Sequence, residues 1–175
     1  MLTGVTASTK QNLQLGAGVL CTEYSTTLDT TKIISATRGG GTFIAAPVMR
    51  NIEADGIPSN TADFKVIDEW NVTLNVTLLE FTQTTLLLAL GNATAAEKTI
   101  TADNTIATTC YKDVYWIGDL ADGNKIVIKI KNALNTSGLN ITITNKGEGT
   151  FVLTLTGHYT VADLSGGKAP FEIIR

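Results

Sequence analysis

The side chains able to do chemistry are few and scattered. His158 is the only histidine, so a mechanism or metal site built on two imidazoles is excluded. It sits in the strand-like run TLTGHYT and reads as a structural histidine. Cys21 and Cys110 lie far apart with no C-x-x-C spacing, which supports neither zinc nor a redox dithiol. They read as buried free thiols, with a disulfide left open. No serine lies in a G-x-S-x-G elbow. Asp29, Asp68, Glu69 and Glu80 are carboxylates at strand ends, ordinarily solvated. Glycoside chemistry would need two of them facing across a cleft, with aromatic platforms beside them, and only 6% of the chain is aromatic. The run Arg38-Gly39-Gly40-Gly41 invites a phosphate-cradle reading, but a β pattern follows where that motif needs a helix N-terminus. A bulge or a close backbone approach fits better. Lys125, Lys129 and Lys131 form a basic stripe without interleaved aromatics, so they read as lysines guarding a strand edge rather than as a nucleic-acid track. These residues point to no enzyme, no cofactor and no metal site.

What must position any functional surface is the stretch EWNVTLNVTLLEFTQTTLLLALGN, residues 69–92. Trp70, Val72, Leu74, Val76 and Leu78 alternate with Asn71, Thr73, Asn75 and Thr77. Side chains on a strand point to opposite faces, so this is a strand with one buried face and one polar face. At about 3.3 Å per residue it predicts a strand of roughly 36 Å, about twice the usual length. The period then changes. Thr82 is placed to N-cap a short apolar helix over Leu86–Leu90, and Gly91 to end it. Leu86, Leu87 and Leu90 are expected to pack that helix on the sheet, with Leu88 turned toward a subunit contact. The polar strand face carries no charge from Asn71 to Thr77.

The totals agree with one compact β domain. A chain of 175 residues, 43% hydrophobic and 17% charged, is long enough for one core and small for two. Abundant threonine favours strands, and a net charge of −3 exerts no pull on nucleic acid. No basic start followed by an apolar run marks a secretory leader, and the longest apolar run is far too short to span a bilayer. The chain reads as a soluble protein of a reducing compartment.

In chain order, 1–12 reads as a flexible polar arm, followed by short strands over 13–20, 32–37 and 42–46. The span 50–68 is expected to lack regular structure. So long a span inside a compact domain marks a functional or partner-ordered loop. After the helix, short strands are expected over 98–101 and 105–109. A hairpin joins 113–120 to 125–131 through Asp122-Gly123. A meander follows through 139–144 and 151–159, then a loop over 162–168 and a last short strand over 170–174. The predicted fold is mainly β, an antiparallel sandwich or barrel with one short flanking α-helix.

Several segments in this order resemble the tail tube (major tail) proteins of long-tailed phages and prophages of Gram-positive bacteria. They are NLQLGAG (12–18), ATRGGGTF (36–43), IEADG (52–56), the strand–helix unit from Thr77 to Gly91, IKIKNALN (128–135), EGT (148–150) and APFEI (169–173). The chain departs at the helix start, with Thr82-Gln83-Thr84 where such proteins have Thr-Pro-Glu. The resemblance implies a single tail-tube domain over 1–175 that closes into hexameric rings, stacked into a hollow tube through which DNA passes during ejection. It further implies tape-measure, tail-terminator and baseplate partners, assembly in the host bacterial cytoplasm and a place in the virion tail. Asn71, Thr73, Asn75 and Thr77 would then face the lumen. Arg50, Glu53, Asp55, Asp63 and Lys65 would belong to an inter-ring loop. Two alternatives stay open: the inner tube of a contractile tail or injection machine, and a monomeric β-sandwich ligand-binding module.

Overall fold

A computed structural model describes residues 4–175; the first residues of the expected N-terminal arm lie outside them. The remainder of that arm is exposed and ends in a 3-10 turn, Lys10–Asn12. The strands are β1 Gln14–Cys21, β2 Ile33–Ser35, β3 Thr37–Asn51, β4 Lys65–Leu78, β5 Ala93–Ala96, β6 Thr99–Ala102, β7 Lys112–Leu120, β8 Lys125–Asn135, β9 Asn140–Thr142, β10 Thr150–Thr156 and β11 Phe171–Ile174. The helices are α1 Gln83–Leu90 and α2 Val161–Gly166. The main sheet is antiparallel in the order β2-β1-β7-β8-β10-β4-β3, with β11 on β8 and β9 on β10, and β5 and β6 form a separate hairpin. The fold is mainly β, as the strand periodicity predicts.

β4 alternates as its sequence requires. Val72, Leu74, Val76 and Leu78 are buried. They meet Phe151, Leu153 and Leu155 of β10, Leu20 of β1, Ile34 of β2, and Val114 and Ile130 of the β7–β8 hairpin in one cluster. Each fully buried aliphatic side chain contributes about 1.5–3 kcal/mol, which makes this cluster the main stabilising element. The sheet bends around it through β8, whose first part pairs with β7 and β11 and whose end pairs with β10. The corner falls at Asn132, which adopts a left-handed backbone (φ 48°). Asn132 N–H donates to Asp113 Oδ1 (3.0 Å) and Asn132 Nδ2 to the His158 carbonyl (3.1 Å). His158 Nδ1 lies 3.1 Å from the Asn132 carbonyl, which can only accept, so Nδ1 carries the proton. With its ring edge-on to Tyr111, His158 is a corner brace.

Helix α1 is capped as expected at Thr82, with a reciprocal pair: Thr85 N–H donates to Thr82 Oγ1 (3.2 Å) and Thr82 N–H to Thr85 Oγ1 (3.0 Å). Gly91 follows with positive φ (69°), where a Cβ would sit 2.9 Å from the Asn135 carbonyl. The fully buried helix residues are Thr85 and Ala89. Leu86, Leu87 and Leu90, named for packing on the sheet, are half-buried, and Leu88 packs on the core rather than turning away. Small side chains face the sheet because the helix lies close to it. Asn135 Nδ2 reaches the Ala89 carbonyl, one of the helix's unpaired C-terminal acceptors.

Several elements depart from the sequence reading. Most of the expected loop 162–168 is taken up by a second helix, α2, which starts at Val161 and is held by Thr160 and Asp163 in a capping box of the form T-x-x-D. The hairpin after α1 pairs 93–96 with 99–102, and 105–109 is not a strand. β3 and β4 extend further than their alternation, so Arg50 and Lys65 are strand residues and only 52–64 remains a loop. That loop is folded: Ile52 N–H donates to the Phe64 carbonyl (2.8 Å), Ile57 N–H to Ala54 (3.1 Å) and Thr61 N–H to Pro58 (3.1 Å).

Stability should follow this packing. Thr85→Val keeps the volume of a fully buried side chain but leaves the Thr82 amide without its partner, and should cost about 1–3 kcal/mol in urea unfolding. Leu74→Ala should cost about 2–5 kcal/mol, and Leu87→Ala distinctly less, because it is half-buried. A larger loss at Leu87 than at Leu74 would contradict this packing.

Candidate functional site

The polar face of β4 is the surface with the clearest design. Asn71 is exposed and Thr73, Asn75 and Thr77 half-exposed. Because opposed residues in an antiparallel ladder share a face, the register extends the surface across both neighbours. Thr42 of β3 stands opposite Asn75, Ile44 opposite Thr73 and Ala46 opposite Asn71. On the other side Thr156 of β10 faces Thr73, Thr154 faces Asn75 and Val152 faces Thr77. Thr136 lies against this surface, its hydroxyl 2.9 Å from that of Thr156. The four residues read from the sequence thus form the middle column of a three-strand face without a charged side chain. The alternation of Val152, Thr154 and Thr156 was visible in the sequence. Their pairing with β4, across some eighty residues of chain, was not.

Charge returns only at the two ends of this face, as ion pairs and as Glu69, which continues the β4 column opposite Val48 without an ion-pair partner among the described residues. Toward the hairpin tip Arg50 Nε donates to Asp68 Oδ1 (2.8 Å), with Glu69 beside it in β4. At the opposite end Arg38 pairs with Glu148 (2.5 Å), and that hydrogen bond holds the Glu148 carboxyl below its ordinary range. The basic stripe is likewise neutralised. Lys125 pairs with Asp119, Lys129 with Asp113 (2.8 Å) and Lys131 with Glu172 (2.6 Å). Asp113 raises the Lys129 ammonium above its ordinary range and Lys131 lowers the Glu172 carboxyl. These lysines do not guard an open edge, since β8 is flanked there by β7 on one side and by β11 and Pro170 on the other. Lys129 also stands 5.5 Å over the Tyr115 ring.

Beside the uncharged face lies an open edge. β3 has 15 residues and is the last strand of the sheet; its recorded ladder is with β4 alone. Pro47 sits within it, tolerable because an edge strand can forgo an amide donor. The glycine run does what its sequence suggested. Gly39 and Gly40 take positive φ, and the β3–β4 register shifts between Thr37 and Gly41. There β3 swings toward β1, with the position of a Gly40 Cβ 4.0 Å from Ala17, yet no ladder joins them among the described residues.

The remaining candidate groups are not brought together. Asp29 caps a short 3-10 turn by accepting from Thr31 N–H (2.9 Å), and Glu80 accepts from Ala36 N–H (2.9 Å). Cys21 is buried, which raises its thiol pKa, and Cys110 is a separate free thiol. Among the described residues no group of three or more His, Cys, Asp or Glu side chains could hold a metal ion, and no helix is long and apolar enough to cross a membrane. The loop residues Glu53, Asp55 and Asp63 are exposed at the far end of the β3–β4 hairpin from α1.

No protein-family model and no curated protein matches the chain. Solved chains that superpose on it include two from gene transfer agent particles. One is from the virion of a native gene transfer agent particle, with a TM-score of 0.42 and 12% identity over 82% of this chain and 92% of that one. The other is from the tail of an empty gene transfer agent particle with C6 symmetry, with a TM-score of 0.41 and 11% identity over 82% and 92%. Likeness at that level assigns no role, so any role must be argued from the face and the edge themselves.

The face can be tested apart from any function. Thr73→Lys with Asn75→Lys should leave urea stability within about 1 kcal/mol, because neither side chain belongs to the core. Leu74→Lys, on the opposite face of the same strand, should abolish cooperative unfolding. Equal damage from both would mean that the polar face is packed.

Proposed function

We propose that the chain is a tail-tube subunit, a single structural domain whose copies close into six-membered rings and stack into a hollow tube that conducts DNA. The observation that carries this reading is the uncharged three-strand face lying next to a long open strand edge. An open edge of this length offers a row of amides and carbonyls to another strand, interrupted only at Pro47 and at the bulges near Gly41 and Val48. Closing the edge with the next copy, repeated around an axis, gives a ring with no free edge. The ordered sequence resemblance to tail tube proteins supports the same arrangement and supplies the hexameric count.

The neutral face then has a purpose. Duplex DNA carries phosphate charge along its whole length, and each lysine or arginine reaching it releases counterions and adds affinity. In a tube every subunit repeats every side chain, so even a weak attraction multiplies along the path. Asn71, Thr73, Asn75 and Thr77, with Thr154 and Thr156, provide hydration without charge. On this reading the protein belongs to the virion tail, is assembled in the host cytoplasm, and meets tape-measure, tail-terminator and baseplate proteins.

Electron microscopy of the purified protein at high concentration should show rings or hollow tubes. A persistent monomer would favour the ligand-binding module instead. In assembled virions, the Thr73→Lys/Asn75→Lys pair should slow DNA ejection, and raising the salt should restore part of the rate, because screening weakens the new phosphate contacts. An unchanged rate in tubes that carry both lysines would place this face outside the lumen.

A further inference from the structure

Helix α1 lacks a polar side. After Thr85 its residues are Leu86, Leu87, Leu88, Ala89 and Leu90, a composition suited to a helix covered all round. Yet its leucines are only half-buried. Beside it opens a pocket of about 800 Å³, with Ile34, Leu87, Leu88, Val114 and Leu134 among its lining. Glu23 and Asp113 also line it but are committed to Lys32 and Lys129 (3.0 and 2.8 Å). Lys112, at its rim, is exposed and has no ion-pair partner among the described residues. The site is therefore an apolar floor with one exposed, unpaired cation at its edge.

The same chain carries a matching shape at its other end. β4 runs from the loop 52–64 to the turn into α1, so the two are separated by the length of a 14-residue strand, roughly 45 Å. The loop holds Glu53, Asp55 and Asp63 and no lysine or arginine. It is prefolded by its own turns and presents Ile52, 43% exposed, with Ile57 half-buried beside the tip. Opposite ends of one strand cannot meet within a molecule, but they can meet between molecules placed head to tail. Such a contact uses two different patches, and where its rotation does not close it propagates along an axis.

We propose that the pocket beside α1 receives the acidic loop 52–64 of a second copy of this chain, with Ile52 and Ile57 over the leucines and a loop carboxylate on Lys112. This rests on the tube reading, in which the second copy belongs to the next ring, and gives that stacking contact its receiving surface. Leu87 and Leu88 become covered, and the prefolded loop limits the entropy lost on docking.

The test uses Cys110, which lines the pocket. In the full-length Ala54→Cys variant a short bismaleimide should join residue 54 of one copy to Cys110 of another, giving multimer ladders on a denaturing gel that vanish with Cys110→Ser. Lys112→Glu should raise the concentration needed for assembly several-fold, and Asp55→Lys in the same chain should bring it back. Tubes that form without the cross-link, and with Lys112→Glu silent, would overturn the docking while leaving the tube reading standing. Cross-linked copies without rings or tubes would support the docking and defeat the tube reading. Neither tubes nor cross-links would defeat both.

Discussion

Backbone amides and carbonyls of a strand need partners along both edges, and β4 finds them in β3 on one side and β10 on the other. That double pairing fixes the plane of β4, and its apolar alternation fixes which side points into the molecule. Val72, Leu74, Val76 and Leu78 then have only one place to go, against β1, β2 and the β7–β8 hairpin. The remaining architecture serves to bring those partners around. β8 bends at Asn132 so that one strand can belong to both halves of the sheet, and Asp113 and His158 supply the hydrogen bonds that the corner would otherwise lose. The cost of satisfying β4 is passed outward to β3, whose far edge is left for something else to complete.

The same constraint explains the distribution of charge. A face that is uncharged along three paired strands, with Arg50–Asp68 at one end and Arg38–Glu148 at the other, differs from an ordinary solvated sheet surface, where lysines and glutamates would be interspersed. Exposed ion pairs of this kind contribute little stability, so their placement matters more for what they keep off the face. An uncharged wall, with hydroxyls and amides interspersed with the exposed Ile44 and Val152, holds phosphates poorly, which suits a conduit better than a phosphate-binding site.

Much of this was legible in the sequence because it depends on local periodicity. The alternation from Trp70 to Leu78, the Thr82 cap, the Asp122-Gly123 turn and the bulge at the glycine run are short-range signals, and each has its counterpart in the structure. What failed depended on context. Helix α2 has the sequence VADLSG, too short for periodicity to reveal, and only its capping box marked it. The apolar run points to Leu86, Leu87 and Leu90 on the sheet, but close approach of the helix buries Thr85 and Ala89 fully instead. Lys125, Lys129 and Lys131 resembled edge guards until the register put β8 in the interior of the sheet. The columns added by Thr42 and by Thr154 and Thr156 required knowing which strands lie beside β4, which alternation alone does not encode.

The central claim is that the outer edge of β3 is completed by another copy of the chain, and amide hydrogen exchange tests it residue by residue. In dilute subunit, the β3 amides that point away from β4 should exchange rapidly while those paired to it are protected. On assembly the outward set should become protected as well, along most of residues 37–51, with little change in β7 or β11. Assembled material in which the outward β3 amides still exchange as fast as in the free subunit would contradict the account.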